Sequence, residues 1–135
     1  MESEEIVVHT GNRPGVFDIT SNVARFTSSY GDGLVSVFVP HATAGVAIIE
    51  TGAGSDEDLI GALNVLLPAA PGGWVHDHGS PGHGRDHVLP AFVSPSITIP
   101  VIGGRPALGT WQSVVLVDTN VDNQTRKVRL SFIEG

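Results

Sequence analysis

Four of the six histidines in this chain lie between Trp74 and His87, in the run Trp74-Val-His76-Asp-His78-Gly-Ser-Pro-Gly-His83-Gly-Arg-Asp-His87. Neutral imidazole is the commonest protein metal ligand, and histidine is the side chain whose charge changes nearest neutral pH. The run therefore points to metal binding or acid–base chemistry. His76 and His78 form an H-x-H pair, which extended backbone places on one side. His83 and His87 are four apart, which a helix stacks on one face. The zincin template needs H-E-x-x-H, and here Gly84 follows His83. A His/Gly/Pro-rich stretch also reads as a solvated loop with no fixed geometry. With no cysteine in the chain, any metal must be held by nitrogen and oxygen donors.

Two further constellations carry chemistry. Pro40-His41-Ala-Thr43-Ala-Gly45 sits between two apolar runs, so His41 and Thr43 emerge where a strand ends. A histidine satisfied within a turn is the plainer reading. Glu50 follows Ile49 near a strand end and is a candidate carboxylate ligand or base, or simply an exposed glutamate. Gly103-Gly-Arg105-Pro-Ala-Leu-Gly-Thr110-Trp-Gln112 places Arg105 beside a diglycine turn, where a guanidinium can grip phosphate bidentately. Thr110 adds a hydroxyl and Gln112 an amide as candidate substrate contacts. The alternative is a Gly-rich hairpin with Trp111 capping the core. The lysine of a P-loop is missing, and no G-x-S-x-G element supports a serine triad.

The elements that must position these residues are short. Ile6–Thr10 reads as a first strand and Gly11–Gly15 as a turn. Thr20 or Ser21 is placed to cap a short helix carrying Val23, Ala24 and Phe26. Leu34–Val39 and Val46–Thr51 are strands. Ser55-Asp-Glu-Asp58 predicts a helix start, with Ser55 as cap and Asp58 in the capping-box position. Leu59, Ile60, Leu63, Leu66 and Leu67 continue it until Pro68 and Pro71-Gly-Gly73. A long loop follows, turning into a short helix around residues 86–93. Ser96–Val101 is a strand ended by Gly103-Gly104. Trp111–Asp118 and Arg126–Ile133 are the clearest strand pair, predicted to form a terminal antiparallel hairpin through residues 119–125. Strands that do not alternate with helices predict one α+β domain over 1–135, with an antiparallel, sandwich-like sheet core and two or three short helices.

Composition narrows the partners. A net charge of −7 disfavours nucleic acid and anionic membranes. Only 16% of residues are charged, and mean hydropathy is +0.16, which fits a surface partly hidden in an oligomer. The acidic start, Met1-Glu-Ser-Glu-Glu5, is the reverse of a secretory leader, and no apolar run approaches the ~20 residues of a spanning helix. The expectation is a cytoplasmic protein.

In this order, the constellations resemble the YjbQ-like family of small proteins, also labelled secondary thiamine-phosphate synthase. The likeness runs over about residues 5–134. It rests on Phe17-Asp-Ile-Thr20, His41-Ala-Thr-Ala-Gly45 with Glu50, Trp74-Val-His76, Asp86-His87-Val-Leu, Pro95-Ser-Ile-Thr-Ile-Pro-Val101, Leu108-Gly-Thr-Trp-Gln112 and Arg126-Lys-Val-Arg129. The resemblance implies a compact sandwich-like α+β fold, a homotrimer and a histidine-lined site. It selects His41, His76 and His87 as the site's histidines, with His78 and His83 as bystanders, and three such ligands with an open position predict one divalent metal, zinc. Glu50 or Asp86 would orient a ligand or exchange a proton, and Thr43, Arg105, Thr110 and Gln112 would meet a small-molecule substrate, phosphorylated if the family label holds. Ala42 stands where the family has a hydroxyl, and Gly84-Arg-Asp-His87 departs from its Asn-Ala-x-Ala-His run. The family label implies joining hydroxymethylpyrimidine diphosphate to thiazole phosphate. A metal-dependent hydrolase and a non-catalytic trimeric metal- or ligand-binding protein are the rival readings.

Overall fold

The computed structural model describes residues 1–70 and 72–135; Pro71, expected to help end the second helix, lies outside the described residues. The elements run β1 (Glu2–His9), β2 (Gly15–Asp18), α1 (Thr20–Thr27), β3 (Gly33–Phe38), β4 (Ala44–Ile49), α2 (Ser55–Leu66), α3 (His83–Asp86), a 3-10 turn (Leu89–Ala91), β5 (Ser96–Ile102), β6 (Arg105–Pro106), β7 (Ser113–Asp118) and β8 (Thr125–Glu134). Every strand pairing is antiparallel. One sheet has the order β1-β8-β3-β5-β6 and the other β2-β7-β4. The expected α+β class with an antiparallel, two-sheet core is what forms.

Side-chain alternation explains the layering. In β8, Val128, Leu130 and Phe132 point inward while Lys127 and Arg129 face solvent. They meet Val35 and Val37 of β3, Ile99 and Val101 of β5, and Val114 and Leu116 of β7, so the two sheets share one core with α1 at its edge. The other face of β7, through Val115 and Val117, packs on Leu63 and Leu67 of the α2 region and on Leu89 and Val93. A strand buried on both faces needs no polar alternation, which is why β7 reads as an unbroken apolar run.

The terminal hairpin does not form. β7 pairs with β2 and β4, whereas β8 pairs with β1 and β3. Residues 119–124 instead carry the chain from one sheet to the other. Asp118, Thr119 and Asn120 are buried, and backbone N–H groups of Asn120 and Asp122 donate to the Asp118 and Asn120 side chains at 2.9 and 3.0 Å. These Asx turns bend the crossover. Arg126 enters β8 fully buried and pairs with Asp118, so the crossover is pinned by a buried ion pair.

Helix starts also differ from expectation. Gly54 adopts φ 101° and occupies the cap position of α2, so Ser55 is the first helical residue and the capping box is not made. Asp56, Glu57 and Asp58 still lie at the positive end of the helix dipole. At α1, the helix begins at Thr20 itself, and Asp18 Oδ1 takes the Thr20 N–H at 2.9 Å. The short helix expected over 86–93 is divided into α3 and the 3-10 turn.

Candidate metal centre

The histidine run is folded into a tight group by three local devices. The Trp74 indole N–H donates to the Pro68 carbonyl at 2.9 Å, fixing the chain as it leaves α2. α3 places His83 and His87 one turn apart, with ring centroids 4.6 Å from each other. Gly84 lets the preceding segment lie directly on α3: a Cβ there would stand 2.3 Å from the His76 carbonyl oxygen and 2.6 Å from Trp74 Cβ. His76 is thereby held with its ring 4.2 Å from that of His87 and 4.9 Å from that of His83. Substituting Gly84→Ala should push this segment off α3 and, if the three rings hold a metal, weaken its binding by about 10-fold, while the two-sheet core, which Gly84 does not touch, keeps its unfolding midpoint within a few degrees. Competition against a chromophoric chelator, with a thermal melt of the same sample, checks both.

His76, His83 and His87 each offer one ring nitrogen, and the three atoms lie within 4.8 Å of one another. Two tautomers are set by acceptors. The His87 Nδ1–H faces the His83 carbonyl at 2.9 Å, and the His83 Nδ1–H faces Asp122 Oδ2 at 3.1 Å. Both rings therefore leave Nε2 with a free lone pair, the arrangement a metal-ligating histidine needs. Asp122 is itself anchored by the Ser80 hydroxyl at 2.6 Å and the Asn120 amide at 3.2 Å. The Ser80 and His83 hydrogen bonds hold its carboxyl below the usual 3.8. Loss of surrounding water, then the His87, His78 and His83 rings, keep His76 below 6.5 and hence neutral near pH 7. Three imidazole nitrogen donors without thiolate or carboxylate suit zinc, copper or nickel better than calcium or magnesium.

The other expected site residues fall in three places. His41 and Thr43 share a cavity of about 220 Å³ with His83, His87, Asp122 and Arg126. His41 nevertheless stands outside the three-nitrogen group. Its Nε2 accepts the Lys127 backbone N–H at 2.9 Å, so that lone pair is already used. Asp86 lies beneath the group: it is 2% exposed, pairs with Arg85, and accepts from Thr119 at 2.6 Å and Asn120 at 3.1 Å. With its oxygens engaged, Asp86 anchors α3 to the crossover. Glu50 is exposed just beyond β4 and lines neither the group nor its cavity. Arg105 borders a different groove, with Thr20, Ser28 and Leu108. Thr110 and Gln112 are exposed, and Gln112 Oε1 accepts the Gly109 N–H at 2.7 Å, closing its own turn.

His41 carries a pH signature. Desolvation, then the Arg126 and Lys127 charges, hold its imidazole below 6.5, against a smaller opposing pull from Glu5. The unfolded chain takes this proton first as the pH falls, so the group contributes stability above 6.5 and loses it as pH falls through the lowered folded value. An NMR titration of the His41 ring should give a midpoint below 6.5. A midpoint at or above that value contradicts the burial of this ring beside the Arg126 and Lys127 charges.

A UPF0047 YjbQ-like family model matches residues 4–135. The chain belongs to this family. A UPF0047 protein of Mycobacterium tuberculosis is 60% identical over 135 residues, covering 100% of both chains. One from Archaeoglobus fulgidus is 33% identical over 124 residues, covering 92% of this chain and 95% of its own. Among solved structures, a hypothetical protein from Aeropyrum pernix aligns with a TM-score of 0.87 at 33% identity, covering 100% of both chains. A YbjQ-like protein of unknown function from Sulfolobus solfataricus aligns at TM-score 0.88 over 99% of this chain and 97% of its own; at 21% identity it shows the shared fold. Asp122 is the residue that spacing did not single out, whereas His83, which spacing paired with His87, is the one the resemblance set aside as a bystander. The signal for Asp122 was the Asn- and Asp-rich stretch after β7, which looked like an ordinary hairpin loop.

Proposed function

We propose that the protein is a metal-dependent enzyme acting on a small molecule, with His76, His83 and His87 holding one divalent ion, zinc. The convergence of three ring nitrogens within 4.8 Å, two of them with tautomers already set, carries this reading. Three protein ligands with a further position for water or substrate is the pattern of catalytic rather than structural zinc. When bound, the ion supplies Lewis-acid chemistry and a water acidic enough to react near neutral pH. Asp122 orients His83 and raises its basicity as a ligand, and the His83 carbonyl does the same for His87. The cavity bordered by His41 and Thr43 is the place for the substrate, with the Thr43 hydroxyl as a donor and acceptor.

This arrangement supports chemistry with water more directly than the diphosphate transfer implied by the family label. A departing diphosphate needs cationic stabilisation, yet Arg105 borders a separate groove and Arg126 is buried against Asp118. A homotrimer, which the resemblance implies, would use an exposed apolar surface. The outer face of the five-stranded sheet exposes Leu34, Phe38 and Ile133, with Leu34 and Ile133 directly paired.

Protein purified without a histidine tag and loaded with zinc should hold one ion per chain by elemental analysis. It should then turn over members of a panel of small esters and phosphoesters, with activity lost on chelation and restored by zinc. Failure to take up zinc overturns the reading. One ion per chain without turnover on any substrate favours the non-catalytic binding protein.

A further inference from the structure

Resting on the metal site proposed above, the geometry points to His78 as a displaceable fourth ligand of the same ion. The four rings of the run form a closed quadrilateral. Its sides are 4.5 Å (His76–His78), 4.8 Å (His78–His83), 4.6 Å (His83–His87) and 4.2 Å (His87–His76), and the His76–His83 diagonal is 4.9 Å. His76 and His83 are thus shared by two triangles, with His87 at the apex of one and His78 at the apex of the other. The ion held by the first triangle lies beside the ring that completes the second. Four imidazoles around one zinc need nitrogens ~3.4 Å apart, given bonds of about 2.0–2.1 Å in a tetrahedron. The His76, His83 and His87 rings, 4.2–4.9 Å apart by centroid, reach that by rotation, while His78, 4.5 and 4.8 Å from His76 and His83 but outside the three-nitrogen group, reaches it by a shift of its loop.

His78 is free to make that shift. It is exposed, and among the described residues neither of its ring nitrogens has a hydrogen bond, in contrast to the fixed Nδ1 atoms of His83 and His87. It is followed by Gly79 at φ 83°, where the chain turns before Ser80 is tied to Asp122. His41, the alternative fourth ligand, has its Nε2 committed to Lys127. Occupied by His78, the site is closed and protects the ion. When a small anionic or carbonyl ligand arrives from the cavity beside His83 and His87, His78 yields its position. The site therefore selects ligands that bind the ion better than an imidazole on a loop.

The cobalt-substituted protein reads this directly, because the intensity and energy of the visible cobalt bands report ligand number and type. Wild type should show four-coordinate, all-nitrogen bands that change as azide displaces His78. His78→Ala should show altered bands before azide is added. It should also bind azide about 10-fold more tightly, since a site closed ten times out of eleven weakens an incoming ligand by that fraction. Identical bands and equal azide affinity in wild type and His78→Ala overturn the proposal while leaving the three-histidine site standing. No cobalt uptake by wild type overturns both.

Discussion

His83→Ala is expected to weaken zinc binding by at least about 100-fold, while His41→Ala stays within a few-fold of wild type. The contrast follows from where the nitrogens are. Removing His83 takes away one of the three converging donors and the ring that Asp122 orients. Removing His41 takes away a ring whose Nε2 is occupied by the Lys127 N–H. The carboxylate behind the ligand has its own smaller effect: Asp122→Ala should cost roughly 10–100-fold in affinity, the usual range for such partners. Isothermal titration with zinc under a competing chelator measures all three. Loss of binding in His41→Ala with retention in His83→Ala would restore the ligand set of His41, His76 and His87 implied by the family resemblance.

Arg126→Ala is expected to destabilise the fold by about 3–5 kcal/mol, because it leaves the Asp118 carboxylate buried without its counter-charge. Asp118 is 0% exposed and Arg126 1% exposed. Burial pushes the Asp118 carboxyl above its usual 3.8, against the pull of the Arg126 guanidinium and the Asn120 N–H. Two further hydrogen bonds of Arg126, to the Thr125 carbonyl at 3.0 Å and the Asn120 side chain at 3.3 Å, would go with it. Total stabilities of about 5–15 kcal/mol make this a large fraction, read as a fall of roughly 10–20 °C in Tm. The double variant Asp118→Asn/Arg126→Gln should recover part of the loss, since it removes both charges and keeps an acceptor for the Asn120 N–H. A double variant no better than Arg126→Ala contradicts the ion pair as the source of the effect.

The same crossover shows what the sequence could and could not tell. β8 was legible because its inward Val128, Leu130 and Phe132 alternate with outward Lys127 and Arg129. β7 was legible as a strand but not as a strand between two others, because its all-apolar run records burial on both faces and not which strands supply it. Pairing β7 with β8 was the local solution. The buried Asp118–Arg126 pair and the Asx turns that route the chain between sheets are recognisable only once the sheets exist. The histidine run divides the same way. That four imidazoles crowd one run is plain from composition. That His83 rather than His41 converges with His76 and His87 goes with two contacts distant in sequence, His83 with Asp122 and His41 with Lys127. Asp86 is expected from the resemblance to orient a ligand or exchange a proton, and the bonds from Thr119 and Asn120 that occupy its oxygens are again contacts across the fold.

Crystals grown with zinc and measured at the zinc absorption edge test the central claim most directly. The account predicts one anomalous peak per chain, about 2.0–2.1 Å from a ring nitrogen of each of His76, His83 and His87, with Nε2 the donor of the last two. A peak coordinated by His41, His76 and His87 with His83 turned away, or no peak in the run at all, would contradict it.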